Sequence, residues 1–127
     1  MQPELQSGDD FRVLVTAEQA WPAFEDAVID ARDEVIAGFR IFDLTTPLAG
    51  ARAREIGATW FDLLEHAVRR GVRIEIIVSD FDPVMATDLH RATWNTVRQG
   101  AALAEVAEAR PGQVRIRAAL HLSLIHI

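Results

Sequence analysis

Asp80-Phe81-Asp82, two carboxylates set two residues apart at the end of a hydrophobic run, is the main chemical signal in this 127-residue chain. Such a pair can hold Mg²⁺, or divide into a nucleophile and a general acid/base. A plainer assignment gives Asp82 to the start of the helix after Pro83 and pairs Asp80 with an arginine. Arg40 stands in an otherwise apolar stretch, where a buried guanidinium requires a partner. It suits an anion or phosphate, or an ion pair with Asp43 or Asp80. His90 lies two residues from Asp88, and His66 precedes a run of arginines. Neither has a metal spacing such as His-Glu-x-x-His, so both read as surface or packing histidines. Ser79 lacks the G-x-S-x-G setting of a nucleophile elbow. Arg40, Ser79, Asp80, Asp82 and His90 are therefore the candidate pocket rim.

These residues need elements to position them. Residues 1–10 read as a disordered lead, and Phe11–Val15 as a short strand. Thr16 has the character of a helix cap, with Gln19 three residues on. Ala17, Ala20, Trp21, Phe24, Ala27, Val28 and Ala31 then recur at spacings of three and four, an amphipathic helix with Pro22 in or near its first turn. Glu34–Phe42 is apolar on both faces except for Arg40 and reads as a central buried strand. Residues 43–57 read as a long surface connection. Thr59, with Asp62, starts a helix whose buried stripe is Trp60, Phe61, Leu63, Leu64, Ala67 and Val68, and Gly71 stops it. Val72–Val78 is the next strand. A third helical region covers about 84–110, with Gly100 as a possible break. Its apolar residues include Leu89, Ala92, Trp94, Val97, Leu103 and Val106. Pro111-Gly112 turns the chain into a strand from Val114.

The order β-α-β-α-β-α-β predicts an α/β fold, a mostly parallel sheet flanked by helices with right-handed crossovers. Ligands of such sheets bind beyond the carboxyl ends of the strands. The rim is then the loop after Phe42 and, above all, Ser79 to Asp82.

Composition narrows the chemistry. The chain has 20 alanines, 13 arginines and no lysine, so every motif that needs a lysine is absent. A net charge of −6 argues against sequence-independent binding to nucleic acid. Arg69, Arg70 and Arg73 form the one dense basic group, at a helix end where cations offset the dipole. Zero cysteines exclude a thiol nucleophile and a Cys-based zinc site. The polar, acidic N-terminus is no signal peptide. No apolar run approaches the ~20 residues of a membrane span. The expected location is cytoplasmic or peripheral to the membrane.

Several segments resemble the N-terminal part of bacterial phospholipase D superfamily proteins, the group that includes cardiolipin synthases. They are Val15–Phe24 leading into Ala31–Ile36, Gly38-Phe-Arg-Ile-Phe-Asp43, Trp60-Phe-Asp-Leu-Leu64, Arg70-Gly-Val-Arg-Ile74, and Ser79-Asp-Phe-Asp-Pro-Val84 with Leu89-His-Arg91. The likeness covers about residues 11–121. It implies phosphodiester hydrolysis or transfer on phospholipids without a metal, by H-x-K-x(4)-D motifs in which one histidine attacks phosphorus and another protonates the leaving alcohol. It also implies possible association of the parent with a membrane surface. This chain has no H-x-K: His66 is followed by Ala67-Val68, His90 by Arg91-Ala92 and His121 by Leu122-Ser123. No catalytic residue transfers to it.

The last six residues, Leu122-Ser-Leu-Ile-His-Ile127, translate CTG TCT CTT ATA CAC ATC, which resembles the end of a transposase-type sequencing adapter. We therefore expect 122–127 to be an adapter-derived tail and 11–121 to be the front part of a phospholipase D-like lobe, inactive alone. Asp80-Phe-Asp-Pro-Val84 also resembles the D-x-D-x-[TV] motif of haloacid-dehalogenase-like phosphatases, which implies Mg²⁺. Pro83 departs from that pattern. A third expectation is a non-catalytic phospholipase D-like binding module.

Overall fold

A computed structural model describes residues 17–80 and 87–120. The elements are α1 (Ala17–Asp30), β1 (Glu34–Phe39), α2 (Ala51–Ile56), α3 (Trp60–Arg69), β2 (Arg73–Asp80), α4 (Thr87–Val106) and β3 (Val114–Leu120). The strands form a parallel sheet in the order β1-β2-β3. Glu34 lies beside Arg73, and Ile74 beside Val114. The α/β class with a parallel sheet and packed helices is as expected. The strand anticipated at Phe11–Val15, Asp82, His121 and the 122–127 tail all lie outside the described residues.

Both crossovers step the same way across the sheet. Right-handed connections then put α3 and α4 on one face. Burial follows: Ile74, Ile76, Val78 and Ile116 point into the core, while Ile36 and Ile77 on the other face are exposed. On the covered side α1 joins α3 through an aromatic cluster. Trp21 lies parallel to Phe39 and Phe42 and edge-on to Trp60. The open face carries a ladder of ion pairs across three strands. Arg73 pairs with Glu34 and Glu75, and Arg117 reaches Glu75 at 2.8 Å.

α3 forms as its sequence dictates. Asp62 accepts hydrogen bonds from the amides of Ala58 and Thr59, fixing the first turn. Trp60, Leu63, Leu64, Ala67 and Val68 are its buried row, with Phe61 only half-buried. Gly71 ends it at φ 93°, a left-handed conformation that costs a side-chain-bearing residue energy.

Four expectations are corrected. The segment from Glu34 is not buried on both faces. It ends at Phe39, has β2 on one side only among the described residues, and leaves Ile36 62 % exposed. Among the described residues β2 is the central strand. Residues 43–57 are not all surface loop, because they contain α2 and bury Leu44, Leu48 and Ala53. Pro22 is sixth in α1, past the first turn, so α1 forgoes the amide bond that position would supply. α4 runs unbroken through Gly100 and buries Thr93, Thr96, Gly100 and Leu103, while Trp94 and Val106 are exposed.

The physical reason for that last reversal is hydrogen bonding. Thr96 donates its hydroxyl to the carbonyl of Phe42, and Thr93 donates to the carbonyl of Ser79 at 2.7 Å. A hydroxyl with a partner is compatible with burial. The basic group is likewise engaged in the fold. Arg70 donates to the carbonyls of Val28 and Ala31 at the end of α1, and Arg69 to that of Val106 at the end of α4.

Candidate functional site

The carboxyl end of β2 is where the chemistry-bearing residues meet. Asp80 closes the strand. Its Oδ1 lies 2.8 Å from Nδ1 of His90, which α4 presents one turn from its start. The side chains remain partly accessible, 23 % for Asp80 and 30 % for His90. Trp94, four residues further along α4, sets its ring edge-on to the imidazole with centroids 6.3 Å apart. Thr93, between them, fixes α4 to Ser79 through that residue's carbonyl. Ser79 is thus held by its backbone and is half-buried.

The loop after β1 is tied to the same helix. Gln99 accepts from the amide of Leu44 at 2.9 Å and donates to Oδ1 of Asp43 at 3.0 Å. That oxygen also accepts from the amide and hydroxyl of Thr45. The Thr45 hydroxyl is the main cause that holds the Asp43 carboxyl below its ordinary range. Partial burial opposes it, and the Thr45 and Gln99 amides add to it.

A depressed carboxyl contributes stability that is present above its unfolded value and is lost as pH falls through the folded one. The urea midpoint should therefore drop below about pH 4. Asp43→Asn should flatten part of that acid limb, while Asp30, lowered chiefly by its hydrogen bond from Arg52, keeps its own share. Identical acid limbs in the variant and the unmodified chain would show that Asp43 contributes nothing.

Arg40 is the clearest correction among the candidates. It lies in the bend after β1 rather than inside a strand, and it is exposed. Its guanidinium is not the buried charge the apolar surroundings implied. Asp88 is exposed and is not the partner made for His90, and His66 is exposed on α3. Among the described residues no group of three or more His, Cys, Asp or Glu could hold a metal ion. Asp82, the second half of the proposed Mg²⁺ pair, lies outside them. Sequence reasoning missed the Asp80–His90 pair and the position of Trp94. The only signal for either was helical phase, since residues 90, 93 and 94 share one side of a helix.

An Asp–His pair of this kind orients an imidazole, an arrangement that general acid/base work uses. No family model matches the chain, and no curated protein does either. Among the described residues no helix is long and apolar enough to cross a membrane.

Proposed function

We propose that the chain is part of a phospholipase D-like protein that cleaves or transfers phosphodiester bonds of phospholipids, with the carboxyl ends of β1 and β2 forming one wall of its pocket. The observation that carries this is the Asp80–His90 pair at the carboxyl end of a parallel sheet, the end from which the loop after β1 also leaves. That is where sheets of this type bind ligands. The exposed guanidinium of Arg40 at the same end suits a phosphate. The attacking histidines and their lysines are not among these 127 residues, since the chain has no lysine. The role assigned to this segment is therefore positioning, in a whole protein that is cytoplasmic or peripheral to the membrane.

The test is an assay on phosphatidylglycerol vesicles and on bis(p-nitrophenyl) phosphate. This chain should show no turnover above a His90→Ala variant. A longer product of the same locus should carry two H-x-K motifs and show turnover. Activity of this chain alone, or a locus without those motifs, would overturn the assignment, and loss of the motifs would favour a binding module.

A second assignment keeps one observation in its favour: Asp80 ends the central strand, two residues before Asp82. A Mg²⁺-dependent phosphatase would hydrolyse p-nitrophenyl phosphate, lose activity in EDTA and lose it again in Asp80→Asn.

A further inference from the structure

His90, Thr93, Thr96 and Gln99 recur at every third residue of α4. Each engages its own group at the carboxyl ends of β1 and β2. Nδ1 of His90 lies 2.8 Å from Oδ1 of Asp80. Thr93 donates to the carbonyl of Ser79, still on β2. Thr96 donates to the carbonyl of Phe42, past the end of β1. Gln99 accepts from the amide of Leu44 and donates to Asp43. A step of three residues winds back about 60° round a helix. Three steps carry the row about half way round α4 and roughly 13.5 Å along it. One helix therefore begins on the end of β2 and reaches the loop after β1.

We propose that this polar row sets where His90 stands relative to the loop after β1, with Thr96 and Gln99 as positioning residues for an imidazole that lies two and three steps away. The bonds are of a kind that fixes register. Apolar burial is non-directional and tolerates sliding, whereas a hydrogen bond weakens steeply when its angle or length changes. Thr93 and Thr96 are 3 % and 1 % exposed, so a slide or rotation of α4 strands buried hydroxyls and carbonyls together. Past Gln99 the helix is held differently. At Gly100 its backbone approaches β3 so closely that a Cβ would stand 2.8 Å from Cδ1 of Ile116. The functional meaning rests on the phospholipase D-like reading above, in which the ends of β1 and β2 wall one pocket. The row then fixes the span between the loop that leaves Arg40 and the imidazole of His90.

The test reads His90 directly, in the full 127-residue chain and without substrate. Its ring resonances are followed by NMR and assigned with His90→Gln. Gln99→Ala should shift them, although residue 99 lies roughly 13.5 Å along the helix. Thr96→Val should shift them too, while Thr96→Ser, which keeps the hydroxyl, should leave them in place. Arg98→Ala, on the exposed side of α4, is the control and should also leave them in place. Gln99 is only half-buried, so its alanine variant keeps the test alive should Thr96→Val fail to fold.

Unmoved His90 resonances in Gln99→Ala overturn the proposal, because Asp80 and Thr93 would then place the imidazole alone. An equal shift in Arg98→Ala, or a shift in Thr96→Ser as large as in Thr96→Val, overturns it as well. No turnover is read, so the two readings fail separately. A locus without H-x-K motifs removes the phospholipase D-like reading and leaves the shifts as they are, and a silent His90 removes the positioning row alone.

Discussion

Glu25→Ala is expected to lower the unfolding free energy by about 3 kcal/mol and the melting temperature by roughly 10 °C. Glu25 is completely buried on α1. Its two oxygens accept hydrogen bonds from the amides of Ala49 at 2.7 Å and Gly50 at 2.6 Å, at the entrance to α2. Gly50 caps that six-residue helix without a side chain of its own. A helix this short does not persist by propensity. The distant carboxylate therefore replaces a local cap and holds the turn against α1. Alanine leaves two donors without an acceptor, each costing about 1–3 kcal/mol, and a cavity besides. The carboxylate's own desolvation cost offsets part of that loss. Glu25→Gln keeps the volume and one acceptor but turns an amide donor toward another donor, so about half the loss is expected. Urea unfolding followed by circular dichroism measures both variants. A loss under about 1 kcal/mol for alanine would mean that α2 is held by its buried Ala53 instead.

Gly100→Val should be comparably damaging, at about 3 kcal/mol, for the opposite reason. A Cβ on Gly100 would stand 2.8 Å from Cδ1 of Ile116 and 2.9 Å from its Cβ and Cγ1. No real Cβ accepts such distances, so α4 must move off β3. Alanine at the same site gains about 1 kcal/mol of helix propensity and should sit between the two. If the close approach is the cause, adding Ile116→Ala to Gly100→Val should recover about 1 kcal/mol or more beyond additivity. Strict additivity would point elsewhere. The displacement also has a local readout: α4 carries His90, so the 2.8 Å contact with Asp80 should loosen and the His90 ring resonances should shift.

Elements governed by local rules were legible in the residues. The row of α3, its Asp62 cap and its Gly71 stop depend on neighbours within one or two turns, and β2 and β3 follow from their apolar alternation. What escaped depends on partners far along the chain. α2 exists through a carboxylate 25 residues upstream of the amide it binds. The threonine row of α4 looked polar because its acceptors are carbonyls 14 and 54 residues away. Glu34–Phe42 looked central because apolar residues on both sides suggest two covered faces, whereas here Ile36 and Ile41 stay exposed. At the site, Asp80 and the loop after β1 were legible from the rule about strand ends. The choice of His90 as partner, and of Trp94 as its neighbour, required the rotation of α4, which its mixed pattern did not reveal.

The three tryptophans are unevenly placed. Trp21 and Trp60 are packed into one aromatic cluster, while Trp94 stands 42 % exposed beside His90. A water-soluble collisional quencher such as acrylamide would reach the third indole long before the other two. The molecule thus carries its own optical reporter beside the Asp80–His90 pair, and changes in that pair's surroundings can be followed by emission alone, without a dye.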